Sequence, residues 1–142
     1  MLRVPARKIM SINLGIGSRL PAYCTSMGRV LLAGLAPDEL RLRLAAAAQR
    51  PAHTPRTLTQ PMALLRAVDA VRAQGWAIVD QEMEAGLVSL AAPIVDRSGH
   101  TIAALNISGQ ANRTPADVMQ ERFLPRLLEA AAQISQLVRM KT

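Results

Sequence analysis

The stretch Gly86–Ser108, GLVSLAAPIVDRSGHTIAALNIS, constrains the fold more than any other. Two apolar segments flank Asp96–Gly99, whose aspartate, serine and glycine are turn formers. The pattern predicts an antiparallel hairpin. Side chains alternate between the faces of a strand. On the second strand Ala103, Leu105 and Ile107 share one face, and Ile102, Ala104, Asn106 and Ser108 share the other. On the first, Val88, Leu90, Ala92 and Ile94 oppose Leu87, Ser89 and Ala91. Each strand therefore has one apolar face and one mixed face of small and polar groups. A loop of four residues, Asp96–Gly99, sets Ser89 opposite Asn106; a loop of two, Ser98 and Gly99, sets it opposite Ser108. In both registers the polar groups share a face.

The apolar face is expected to meet the main core. The mixed face has two readings. One is a shallow concave site with a few hydrogen-bonding groups. The other is an ordinary sheet surface, solvated or packed under a helix. Solvated faces usually carry Lys, Glu, Thr or Arg, so the Ala-Asn-Ser composition favours the concave site.

The remaining pattern places other elements around this hairpin. A strand is expected over Arg7–Leu14 and a helix over Ser26–Leu35. A second helix opens at Pro37, with Asp38 and Glu39 at its positive end, and runs towards Pro51. A third is capped by Thr59, begins near Pro61 and stops at Gly75. Trp76–Asp80 is a short strand. From Pro115 onward Leu124, Leu127, Leu128, Ala131, Ile134 and Val138 form a helical stripe. Pro125 must either kink this helix or sit in the first turn of another. The order predicts an α+β domain, an antiparallel sheet with helices gathered on one face.

With 142 residues the chain is expected to form one domain. Its only aromatic residues, Tyr23, Trp76 and Phe123, offer little for stacking on bases. The net charge of +7 comes from 17 basic residues, 15 of them scattered arginines, and reads as a solvated basic surface more readily than as a nucleic-acid site. A single cysteine, Cys24, excludes an internal disulfide and fits a reducing compartment. No apolar run of membrane-spanning length occurs, and Met1–Met10 lacks the features of a signal peptide. A cytoplasmic location without membrane association is expected.

Three features carry possible chemistry. Cys24, Thr25 and Ser26 precede the first helix, with Met27 and Gly28 just inside it. Thr25 or Ser26 can cap the helix. The free N–H groups there can also receive an anion, which small side chains would let approach. The alternative is a capped end packed into the core. Cys24 reads either as a helix-activated nucleophile or as a buried inert thiol. Asp80, Glu82 and Glu84 alternate, and as strand residues would share a face for acid–base or metal chemistry. The plainer reading, and the favoured one, is a solvated strand end, or carboxylates bonding nearby backbone and arginine. His53 and His100 form no cluster with them, and no phosphate loop or metal-spacing motif occurs. No metal, cofactor or enzymatic activity is expected.

The strings INLGIGSRLPAYCTSMGRVLLAGL, IVDQEMEAGLVSLAAPIVDRSGHTIAALNISGQANR and ERFLPRLLEAAAQIS resemble the effector-binding domain of IclR-type bacterial transcriptional regulators, in the branch governing protocatechuate, 4-hydroxybenzoate and β-ketoadipate metabolism. The resemblance implies a GAF-like fold, an antiparallel sheet flanked by helices with an effector pocket on one sheet face. It also implies homodimers or homotetramers. Its pocket positions fall on Cys24, Thr25, Ser26 and Met27, on Asp80 and Leu87, on Ser89, Asn106 and Ser108, and on Ile12. Nothing in Met1–Lys8 matches the family's winged helix-turn-helix, so the chain is expected to be the sensing half, with DNA reached only through that other domain. The expected effector is a small aromatic or dicarboxylic acid. Its carboxylate would lie at Thr25–Gly28, Ser89, Asn106 and Ser108 would bind its other polar atoms, and Leu87, Met27 and Ile12 would wall it. The alternatives are an oligomerisation module without ligand and an enzyme using Cys24.

Overall fold

A computed structural model describes residues 15–46 and 50–141. The strand expected over Arg7–Leu14, and Ile12 with it, lies outside the described residues. The described elements are α1 (Ser26–Ala33), α2 (Pro37–Ala46), α3 (Pro61–Gln74), β1 (Ala77–Asp80), β2 (Leu87–Val95), β3 (Thr101–Gln110) and α4 (Ala116–Lys141). The three strands form one antiparallel sheet in the order β1-β2-β3.

The hairpin takes the tighter of the two expected registers: Ser89 pairs with Ser108 and Ala91 with Asn106. It reaches that register through a bulge. Ile94 pairs with Ala103 but Val95 with Thr101, which leaves Ile102 without an opposite residue. The Asp96 N–H then donates to the His100 carbonyl at 2.9 Å, closing a tip of Arg97, Ser98 and Gly99. Asp96 Oδ1 accepts from Ser98 N at 2.9 Å, Ser98 Oγ at 3.0 Å and His100 N at 3.0 Å. Gly99 supplies the left-handed backbone, φ 86°, that the tip requires.

The apolar sheet face meets the core as its alternation predicts. Val88, Leu90 and Ala92 pack with Met119, Leu127 and Ala131 of α4, flanked by Ile78, Leu105, Ile107 and Phe123. Each fully buried Leu or Val there is worth about 1.5–3 kcal/mol relative to exposure. Ser135 of α4 accepts from Val95 N at 3.0 Å and joins helix to sheet. α4 runs unbroken through Pro125, so the chain forms neither a separate second helix nor a helix end there. At the start of α3 the N-cap is Gln60, without a side-chain cap bond, rather than Thr59; the fixed φ of Pro61 serves the first turn instead.

The helices do not gather on one face. α1 and α3 lie opposite α4, with Val30 and Val71 packed on Ala77 and Ala91, and Met27, Ala33 and Ala104 around them. The alanines explain the difference. They make a shallow surface on which a helix can sit close, so close that a Cβ on Gly34 would stand 2.8 Å from Thr101 Cβ. Half of the mixed face is thus a helix-docking surface. A further cluster, Leu40, Leu44, Leu64 and Val68, holds α2 on α3.

Candidate functional site

The start of α1 resolves which residue is the cap. Thr25 is extended, φ −119° and ψ 151°, and its Oγ1 accepts from Gly28 N at 3.2 Å. The same hydroxyl donates to the Pro21 carbonyl at 2.9 Å, pinning the turn that leads in. Ser26 is 1% exposed and Cys24 is fully buried. Gly28 is needed for a reason other than ligand approach: a Cβ there would lie 2.3 Å from both the Cα and the carbonyl oxygen of Ala22. Tyr23 turns away towards the Pro51–His53 segment, its hydroxyl donating to Pro51 O at 2.7 Å.

Cys24 Sγ rests 3.6 Å from Met83 Sδ. Burial pushes its thiol up to about 11, with Glu82 adding to the rise and Arg29 opposing it. Thiolate is the reactive form, so a fully buried thiol held in its neutral form gives the nucleophile reading no support.

On the sheet, Val79, Ser89 and Ser108 form one row and Ala77, Ala91 and Asn106 the next, all on the α1 face. Asn106 Nδ2 donates to Ser108 Oγ at 3.2 Å. Ser89 is buried, Asn106 and Leu87 are half-buried, and Ser108 is exposed. Met27 packs against the same face beside the alanines. The fold therefore brings Met27, Ser89, Asn106 and Ser108 together on one side of the sheet.

Asp80 does not join them. It pairs with Val88, whose side chain faces α4, and its Oδ2 meets Arg56 Nη1 at 2.7 Å. The expected shared face of Asp80, Glu82 and Glu84 fails because β1 ends at Asp80 and Gln81 turns to φ 60°. Among the described residues no group of three or more His, Cys, Asp or Glu could hold a metal ion.

The run of carboxylates suited bonding to arginine, but the sequence did not say which arginine. Arg29 and Glu82, only 4% and 9% exposed, make a two-pronged ion pair: Nη1 to Oε2 at 2.7 Å and Nη2 to Oε1 at 2.5 Å. They are 53 residues apart, and no local spacing signals such a contact. Glu82 was legible only as one of a run of carboxylates.

A cleft of about 500 Å³ lies at the opposite end of the sheet, between Val30, Ala33, Val71, Arg72, Pro93 and His100 among others. None of the expected pocket residues lines it. Among the described residues no helix is long and apolar enough to cross a membrane.

Known proteins share this arrangement. Residues 2–136 match the family described as bacterial transcriptional regulator IclR C-terminal. The chain is 49% identical over 124 residues to the Pca regulon regulatory protein of Pseudomonas putida, covering 87% of this chain and 42% of that protein. It thus spans under half the length of that relative. A transcriptional regulator from Rhodococcus sp. RHA1 superposes with a TM-score of 0.88 at 48% identity, over 94% of this chain and 53% of that one. A double mutant of the PobR inducer binding domain from Acinetobacter, solved with 3-hydroxybenzoic acid, gives a TM-score of 0.85 at 32% identity, over 94% of this chain and 75% of that one. A match over nearly the whole chain, with two close structural likenesses, settles kinship with regulator domains rather than enzymes: the chain belongs to the IclR C-terminal family of bacterial transcriptional regulators.

Proposed function

We propose that this domain senses a small organic acid, an aromatic hydroxy acid or a dicarboxylic acid, for a regulator of protocatechuate and β-ketoadipate catabolism. The observation that carries the proposal is the direct pairing of Ser89 with Ser108, which sets the two side by side with Asn106 on the sheet face that α1 overlies. A likeness to an inducer binding domain solved with 3-hydroxybenzoic acid supports the ligand class. The acid's carboxylate lies at the start of α1, beside Cys24, Thr25, Ser26, Met27 and Gly28. The helix dipole favours it there by about 0.3–1 kcal/mol. Ser89, Asn106 and Ser108 bind its remaining polar atoms, and Leu87, Met27 and Ile12 wall it. Asp80 is left out of the ligand set, and its charge is paired with Arg56.

The domain works in the cytoplasm within a homodimer or homotetramer, and DNA is bound by a separate domain of the parent protein. Ligand shifts an existing equilibrium between arrangements of the oligomer and thereby the spacing of the DNA-binding parts.

Calorimetric titration with protocatechuate, 4-hydroxybenzoate, 3-hydroxybenzoate and β-ketoadipate tests the reading. Heat of binding from at least one acid is expected. Ser108→Leu, at an exposed position, should abolish it without lowering the melting temperature. A folded domain that binds none of the four acids would instead be an oligomerisation module.

A further inference from the structure

The buried Arg29–Glu82 pair sits where the proposed acid site is built. Arg29 lies one turn into α1, and its Nε donates to the Tyr23 carbonyl at 3.0 Å. That bond holds the chain immediately before the Thr25 cap. Its two terminal nitrogens take both oxygens of Glu82. Glu82 in turn anchors the loop 51–58: its Oε1 accepts from Leu58 N at 3.1 Å, and its carbonyl accepts from Thr57 Oγ1 at 2.5 Å. Thr54 Oγ1 donates to Gln81 O at 2.6 Å beside it. Three segments distant in sequence, the α1 turn, the 54–58 loop and the β1–β2 connection, thus meet at one guanidinium–carboxylate pair.

A buried ion pair is weak support for stability, because desolvation offsets much of the attraction; its better-attested role is to fix one arrangement against others. Arginine suits that role through its planar fork, which lysine lacks. We infer that Arg29 and Glu82 are positioning residues for the acid-binding turn Cys24–Gly28, setting its distance from Ser89 and Ser108. The inference rests on the sensing function proposed above and adds the device that holds the site in shape.

The test compares Arg29→Lys, Glu82→Gln and a control, Leu127→Ala, which thins the core on the α4 side of the sheet. Each folded protein is titrated calorimetrically with the four acids, its melting temperature is measured, and the labelling rate of Cys24, the single thiol, is followed with a chromogenic disulfide reagent. Arg29→Lys and Glu82→Gln should weaken acid binding at least tenfold and speed Cys24 labelling at least tenfold. Leu127→Ala should lower the melting temperature comparably yet leave affinity within twofold. If Glu82→Gln does not fold, Arg29→Lys, which retains the charge, carries the comparison. Wild-type binding with affinity within twofold in the folded pair variants overturns the inference alone. No binding by the wild-type domain overturns it together with the sensing function.

Discussion

Replacing Gly28 by alanine tests whether this glycine serves packing. In an open helix position the change stabilises by about 0.5–1 kcal/mol, since glycine loses more backbone freedom on folding. Here the new Cβ would stand 2.3 Å from Ala22 Cα and O, 0.7 Å inside the 3.0 Å that real Cβ atoms respect. Both neighbours are backbone, so no rotamer change relieves the clash. Overpacking of this kind costs about 1–3 kcal/mol, more when the main chain must move. A net loss of about 1–2 kcal/mol follows from these two opposing terms. Unfolding entropy of about 2.1 cal/mol/K per residue over 142 residues is about 0.3 kcal/mol/K, so the melting temperature should fall by about 3–7 °C. Circular dichroism melts and urea titrations measure it. Gly109→Ala provides the contrast, because its Cβ would press only on the far end of the flexible Met119 side chain, Cε at 2.8 Å, with Thr114 at an ordinary 3.7 Å, and should cost less. A Gly28→Ala protein as stable as the wild type or more so would refute the packing argument.

Thr25→Ala removes the cap bond to Gly28 N and the tie to Pro21 O; chemical denaturation should show a loss of about 1 kcal/mol. For Cys24 the folded thiol, about 11, lies above its ordinary 9.0, so the buried neutral form contributes stability that is complete below pH 9 and lost as pH rises through about 11. Urea titrations should therefore show a steeper decline between pH 9 and 11 in the wild type than in Cys24→Ala; equal slopes would contradict the assignment. Asp96 is held below the usual carboxylate range, chiefly by the His100 N–H and also by the Ser98 hydroxyl and N–H. Its contribution is present above the ordinary carboxylate value and disappears as pH falls through the lowered one, which an NMR titration of its carboxyl will register. Asp96→Ala should broaden the amide signals of Ser98 and His100.

Local chemistry was enough to read the hairpin, its alternating faces, the stop at Gly75 and the helical character of α4 from the sequence, but of the expected stripe Leu127 and Ala131 are buried while Leu128 is 38% exposed. Period-2 and period-3.6 patterns, with turn residues between them, depend on neighbours only a few residues apart. The same patterns place Ser89, Asn106 and Ser108 on one face. Tertiary structure decided what no period encodes. It chose between the two hairpin registers by inserting a bulge at Ile102, and it laid α1 on the alanine half of the mixed face, so that helices cover both sides of the sheet. It ended β1 at Asp80, which sent that carboxylate to Arg56 and Glu82 to Arg29. It also gave Gly28 its purpose, the close approach of Ala22. Each of these outcomes depends on which distant surfaces come within a few ångströms, and that is set by the packing of the whole chain rather than by any segment of it.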